Sequence, residues 1–125
     1  MTSNQNVKFI AIVDDDESVQ SALQDLMEAD GLTAKSFGSA EEFLESGLQR
    51  KAACLIVDIR MPGMSGLELQ AKLKADRVNI PIIFITAHGD ARVRMQAMRE
   101  GAAEFLVKPF DDQVLLNRVR AALDI

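Results

Sequence analysis

Residues 53–66 read ACLIVDIRMPGMSG. A short run rich in Leu, Ile and Val ends on Asp58, and Pro62-Gly63 then mark a turn. Gly66 stands near the start of the next amphipathic segment. An apolar run of this length that stops at polar and turn residues reads as a β-strand. Asp58 is therefore placed at a strand's carboxyl end, with a tight loop and a helix behind it.

The same strand, loop and helix cadence recurs along the chain. Apolar runs at Val7–Val13, Leu32–Phe37, Ala53–Val57, Pro81–Ile85 and Glu104–Val107 predict five strands. Helical spacing fills the gaps. Val19, Leu23, Leu26 and Met27 form one stripe, with Gly31 as its C-terminal stop. Ser39-Ala40-Glu41-Glu42 has a capping-box pattern ahead of Phe43, Leu44 and Leu48. Leu67, Leu69 and Leu73 mark the third helix. Val93, Met95, Ala97 and Met98, stopping at Gly101, mark the fourth. Val114, Leu115, Val119, Ala122 and Leu123 mark the fifth. Strands alternating with helices imply an α/β fold, a doubly wound five-stranded parallel sheet with helices on both faces. The common strand order is 2-1-3-4-5, which puts strands 1 and 3 side by side at the switch point, where ligands bind beyond the carboxyl ends.

A chain of 125 residues, 48% hydrophobic and 26% charged, is expected to form one domain, 1–125. The formal net charge of -5 argues against direct binding to nucleic acid. Cys54 is the single cysteine, so no internal disulfide forms; it reads as a core residue. No apolar stretch approaches the roughly 20 residues needed to span a bilayer. The polar start MTSNQNVK lacks the core of a signal peptide. These features predict a cytoplasmic domain away from the membrane.

In the proposed sheet, strand 1 leads into Asp14-Asp15, strand 3 into Asp58, strand 4 into Thr86 and strand 5 into Lys108-Pro109. Three carboxylates, a hydroxyl and an ammonium thus gather on one edge. Two carboxylates about 4 Å apart repel by roughly 4 kcal/mol at an effective dielectric near 20. Three of them must raise a pKa or hold a cation. Hard oxygen ligands without His or Cys favour Mg²⁺. A carboxylate between a divalent cation and a lysine is placed to accept a phosphoryl group, a transfer that depends on positioning and charge neutralisation. Asp16 and Glu17 read as the start of helix 1, where negative charge suits the helix dipole.

With these residues in place the chain resembles a response-regulator receiver domain of two-component signalling, of the FixJ-like subgroup and with a flavodoxin-like fold of five helices. The motifs are VDDD (13–16), DIRMPGMSG (58–66), TAHGD (86–90) and EFLVKPF (104–110). The resemblance implies that Asp58 is the phosphoacceptor, that Asp15, Asp58 and the carbonyl of Arg60 ligate Mg²⁺, and that Asp14 helps through water. It implies that Thr86 binds the phosphoryl group, that Lys108 pairs with it and that the Lys108–Pro109 peptide is cis. Phe105 takes the aromatic switch position without a hydroxyl, and Arg60 and His88 become candidates for controlling phosphoryl lifetime. A sensor histidine kinase is the implied donor. Homodimerisation through helix 4 and strand 5 is the implied response, with DNA reached only through an output domain absent from this chain. Such a domain is a phosphoacceptor rather than a multi-turnover enzyme.

Other readings compete. A stand-alone receiver would act by protein binding alone. Asp14-x-Asp16 behind a strand also resembles the nucleophile motif of haloacid-dehalogenase-type phosphatases, with Thr86, Lys108 and Asp111-Asp112 in the place of its later motifs; that reading leaves Asp58 and its Pro-Gly loop unexplained. Taken singly, Asp14 and Asp15 are helix caps, Asp58 a turn former, Thr86 a strand end, and Lys108, His88, Arg92, Arg94 and Arg99 solvated residues. Met95 and Met98 taken singly are core residues.

Overall fold

The computed structural model describes residues 8–125. Its strands are β1 (Phe9–Val13), β2 (Ala34–Phe37), β3 (Ala52–Asp58), β4 (Ile82–Thr86) and β5 (Glu104–Val107). Its helices are α1 (Glu17–Ala29), α2 (Ala40–Glu45), α3 (Gly66–Ala75), α4 (Ala91–Arg99) and α5 (Asp112–Leu123), with a single 3₁₀ turn at Gln49–Lys51. All pairings are parallel and the strand order is β2-β1-β3-β4-β5, as the alternation predicts.

Two cores flank the sheet, because successive strand residues face opposite sides. Val13, Leu55, Val57 and Phe84 point toward Phe43 of α2, Leu69 and Leu73 of α3, and Ala97 of α4. Ile12, Cys54, Ile56, Ile83 and Ile85 point toward Leu23 and Met27 of α1 and Leu115 and Val119 of α5. Each large side chain fully buried in this way contributes about 1.5–3 kcal/mol. The register pairs Val13 with Val57, Asp58 with Ile85 and Thr86 with Val107, so all the central strands end on one edge.

Several element ends differ from expectation. Val7 lies outside the described residues, and β1 is seen from Phe9. Strand 2 begins at Ala34 rather than Leu32, because Leu32 is used to close α1. Gly31, at φ +81, donates to the carbonyl of Glu28, and Leu32 N–H reaches back to the carbonyl of Met27. That pair of bonds is a Schellman stop. Strand 4 starts at Ile82, one residue late, and Pro81 takes part only through its carbonyl, which accepts from Leu55 N–H.

The capping pattern at 39–42 is half realised. Ser39 accepts from Glu42 N–H at 3.0 Å, but the Glu42 carboxylate takes the N–H of Gly38 instead of that of Ser39. The complete reciprocal box belongs to Ser65 and Glu68, which open α3.

Candidate functional site

The edge formed by the ends of β1, β3, β4 and β5 carries the polar residues. Asp14 follows β1 directly, and its N–H donates to the carbonyl of Phe37 at 3.1 Å. The chain then leaves the strand. Asp14 Oδ1 accepts from Asp16 N–H at 2.9 Å, and the Asp14 carbonyl accepts from Gln20 Nε2 at 2.7 Å. Asp14 is only 1% exposed, whereas Asp15 is in solvent. Asp16 sits apart, capping α1 by accepting from the N–H and hydroxyl of Ser18. Those two bonds hold its carboxyl below the usual aspartate range.

Asp58 ends β3 half-buried, and its Oδ1 accepts from Arg60 N–H at 3.1 Å. The loop behind it is packed closely. A Cβ on Gly66 would stand 2.5 Å from the carbonyl oxygen of Asp58, and Gly66 N–H bonds the carbonyl of Ile59 at 2.9 Å. Glycine is required there so that α3 can start against the strand end.

Asp14, Asp15 and Asp58 each offer a carboxylate oxygen within 4.8 Å of the others. Lys108 Nζ stands 3.8 Å from Asp14 Oδ2 and 3.9 Å from Asp58 Oδ2. Three negative groups thus face one ammonium. Burial pushes the Asp14 carboxyl above its ordinary range. The Asp16 N–H acts against this shift, and the Asp58 charge adds to it.

Asp14 Oδ2 is buried with no hydrogen-bond partner. A buried charged oxygen left without a partner is costly. An orphaned oxygen, three converging carboxylates and a donor set of hard oxygens fit Mg²⁺.

The remaining predicted residues surround this cluster. Thr86 is buried, and its hydroxyl serves its own loop, accepting from His88 N–H at 3.2 Å and donating to the His88 carbonyl at 3.3 Å. The His88 and Arg60 side chains are exposed. Phe105 is buried, its ring centroid 6.5 Å from that of Phe84. The Lys108–Pro109 peptide is cis.

A family description, response regulator receiver domain, matches residues 10–120. The chain belongs to that family. Among receivers it is 45% identical to nodulation protein W of Bradyrhizobium diazoefficiens, over 93% of this chain and 51% of that protein. It is 42% identical to the transcriptional regulatory protein FixJ of Azorhizobium caulinodans, over 91% and 54%. Response regulator protein TodT of Pseudomonas putida is 45% identical over 98% and 54%. The chain therefore spans about half the length of the curated relatives it matches.

The crystal structure of FixJ-N superposes with a TM-score of 0.84 at 38% identity, covering 94% of each chain. A low-resolution structure of response regulator StyR gives 0.87 at 45% identity, covering 94% of this chain and 59% of the other. The acidic cluster is of the kind that holds Mg²⁺ in receivers, and a receiver implies a cognate sensor histidine kinase. Receivers are phosphoacceptor modules, not classical enzymes. Among the described residues no helix is long and apolar enough to cross a membrane.

Membership also removes the phosphatase reading. Asp16 is committed to capping α1 and lies outside the acidic cluster, and Asp111 caps α5 through Gln113 N–H. The amide of Gln20 that holds the carbonyl of Asp14 is not visible in the sequence, where a glutamine early in a helix carries no distinguishing signal. Sequence reading placed Gly66 at the helix start without showing the close approach to Asp58.

Proposed function

We propose that this receiver is a phosphorylation-dependent switch in which Asp58 accepts a phosphoryl group from a sensor histidine kinase. One observation carries the reading: the carboxylates of Asp14, Asp15 and Asp58 converge within 4.8 Å beside the ammonium of Lys108. Asp15, Asp58 and the carbonyl of Arg60 would hold Mg²⁺ directly, with Asp14 contributing through water. The bound ion supplies neutralisation of the charge on the transferred group.

The side chains do the remaining work. Arg60 N–H fixes the orientation of Asp58 by holding Oδ1, which leaves Oδ2 on the Lys108 side as the attacking atom. Once the group is in place, Lys108 pairs with its oxygens. Thr86 exchanges its bonds within the 86–88 turn for one to a phosphoryl oxygen. That exchange draws the end of β4 inward, and Phe105 adjusts by ring packing against Phe84, since it has no hydroxyl to anchor. Arg60 and His88, exposed beside the site, govern the access of water to the acyl phosphate.

The output surface is α4, β5 and α5. Met95 and Met98 on α4, Val107 on β5 and Val114 on α5 are exposed apolar residues, Met95 at 60%. β5 is also a sheet edge. Phosphorylation promotes homodimerisation through α4 and β5, and the whole 1–125 segment acts as a single receiver controlling transcription through a separate DNA-binding domain. The localisation that suits this role is cytoplasmic.

Light scattering of the protein with Mg²⁺, before and after addition of a small acyl-phosphate donor, tests the reading. A donor-dependent rise in mass that is absent from Asp58→Asn supports it. A monomer throughout, in protein shown to be phosphorylated, removes the dimer and leaves a receiver that works by binding other proteins.

A further inference from the structure

The loop from Ile59 to Ser65 is tied at its base to the phosphoacceptor, through Arg60 N–H on Asp58 Oδ1 and through the packing of Gly66 on the carbonyl of Asp58. Its tip is held from another element. Glu41, in the first turn of α2, extends across to this loop, and its Oε2 accepts from Met64 N–H at 2.8 Å. The same oxygen occupies the space a side chain at 63 would need: a Cβ on Gly63 would stand 2.6 Å from it. Gly63 also has φ +75, so the turn is built around the glutamate on both counts.

α2 is a firm base for this reach. Phe43, two residues along and on the opposite side of the helix, is fully buried and meets the Phe37 ring edge-on at 5.2 Å. Ser39 and Glu42 fix the helix entry.

We infer that Glu41 is a positioning residue for the phosphoacceptor loop: from α2 it clamps Met64 N–H and thereby sets the Arg60 backbone that closes the Mg²⁺ site around Asp58. The inference rests on the phosphoacceptor reading above. Glu41 touches neither the ion nor the phosphoryl group. It acts through the loop, holding the tip while Asp58 holds the base. A loop pinned at both ends presents its Arg60 carbonyl without a further ordering cost, and a loop pinned at one end does not.

The test uses Glu41→Ala and Glu41→Gln in the protein as it stands, with three readouts. Amide hydrogen exchange followed by NMR reports on the Met64 N–H. In the wild type this amide is protected from exchange by its bond to Glu41, and in Glu41→Ala that protection is lost. Mg²⁺ affinity is measured by titration without any phosphodonor. Glu41→Ala weakens it by about five-fold, the scale of one solvent-exposed, charge-assisted hydrogen bond, and Glu41→Gln, which still offers an acceptor, recovers most of the loss. The rate of phosphorylation by a small acyl-phosphate donor at low Mg²⁺ falls in parallel and is restored at saturating Mg²⁺.

Thermal unfolding shows whether either variant has lost its fold. Wild-type Mg²⁺ affinity in Glu41→Ala overturns the inference, as does a loss that Glu41→Gln fails to recover. A Met64 N–H that exchanges as fast in the wild type as in Glu41→Ala also overturns it. Asp58→Asn runs alongside: if that variant is still labelled, the phosphoacceptor assignment fails, whatever Glu41 does to the Met64 resonance and to Mg²⁺ binding.

Discussion

Replacing Asp14 by asparagine should make the metal-free protein more stable. Asparagine keeps the Oδ1 acceptor used by Asp16 N–H at 2.9 Å, and it removes a charge from a side chain 1% exposed. The attraction to Lys108 at 3.8 Å and the repulsion from one carboxylate within 4.8 Å are each about 4 kcal/mol at an effective dielectric near 20. They nearly cancel. The repulsion from Asp15 is weakened by solvent, because Asp15 is exposed. What remains is chiefly the desolvation of Oδ2, which has no hydrogen-bond partner, at about 1–3 kcal/mol. For a domain of this size that gain raises Tm by roughly 3–10 °C.

The pH dependence fixes the sign. Burial raises the Asp14 carboxyl above its ordinary 3.8, so between the two values the folded state binds more protons than the unfolded state. Stability then falls as pH rises through that window. The advantage of Asp14→Asn is therefore full above the native pKa of Asp14 and closes as the pH drops toward 3.8. Mg²⁺ should also narrow it, by stabilising the wild type more. Circular-dichroism melts of both proteins in chelator, across the acidic range and then with Mg²⁺, measure all three effects. A variant less stable than the wild type at neutral pH in chelator would refute the reasoning, and so would an advantage that grows on acidification.

Three further outcomes are expected. Gly66→Ala places a Cβ 2.5 Å from the carbonyl of Asp58 and 3.1 Å from Ile59 Cα, both backbone atoms, and should cost about 2–4 kcal/mol in denaturant unfolding, the scale of an overpacked backbone contact. Phe43→Ala empties a fully buried site between α2 and the sheet and should cost about 3–5 kcal/mol by the same assay. Cys54 is buried in β3 with its thiol pushed up to about 12, so a thiol reagent at neutral pH should label it only at the rate of unfolding.

The fold was legible because each strand announces itself twice, as an apolar run and by the turn residue that stops it. The ACLIVD run ends at the carboxyl edge as read, and its neighbours in the sheet follow from topology alone. Leu32 misled because it is as apolar as the strand it precedes, and only the Schellman bonds show that it belongs to α1. The capping pattern at Ser39–Glu42 misled for a related reason. Ser39/Glu42 and Ser65/Glu68 have the same spacing, and the difference lies in where each glutamate carboxylate finds a donor. At the site, the residue types and their gathering on one edge could be read directly. The contrast between buried Asp14 and exposed Asp15 could not, because it arises from the turn of the chain after Val13. Glu41 was also beyond reach: it reads as an ordinary first-turn acid, and its bond to Met64 spans a long stretch of sequence.

The most direct test is to locate the phosphoryl group. The protein is treated with a small acyl-phosphate donor and Mg²⁺, the acyl phosphate is trapped by reduction, and the modified residue is identified by peptide mass spectrometry. The account predicts modification at Asp58 alone, lost in Asp58→Asn and in chelator. Modification at Asp14 or Asp15, or at Asp58 with equal efficiency in chelator, would contradict it.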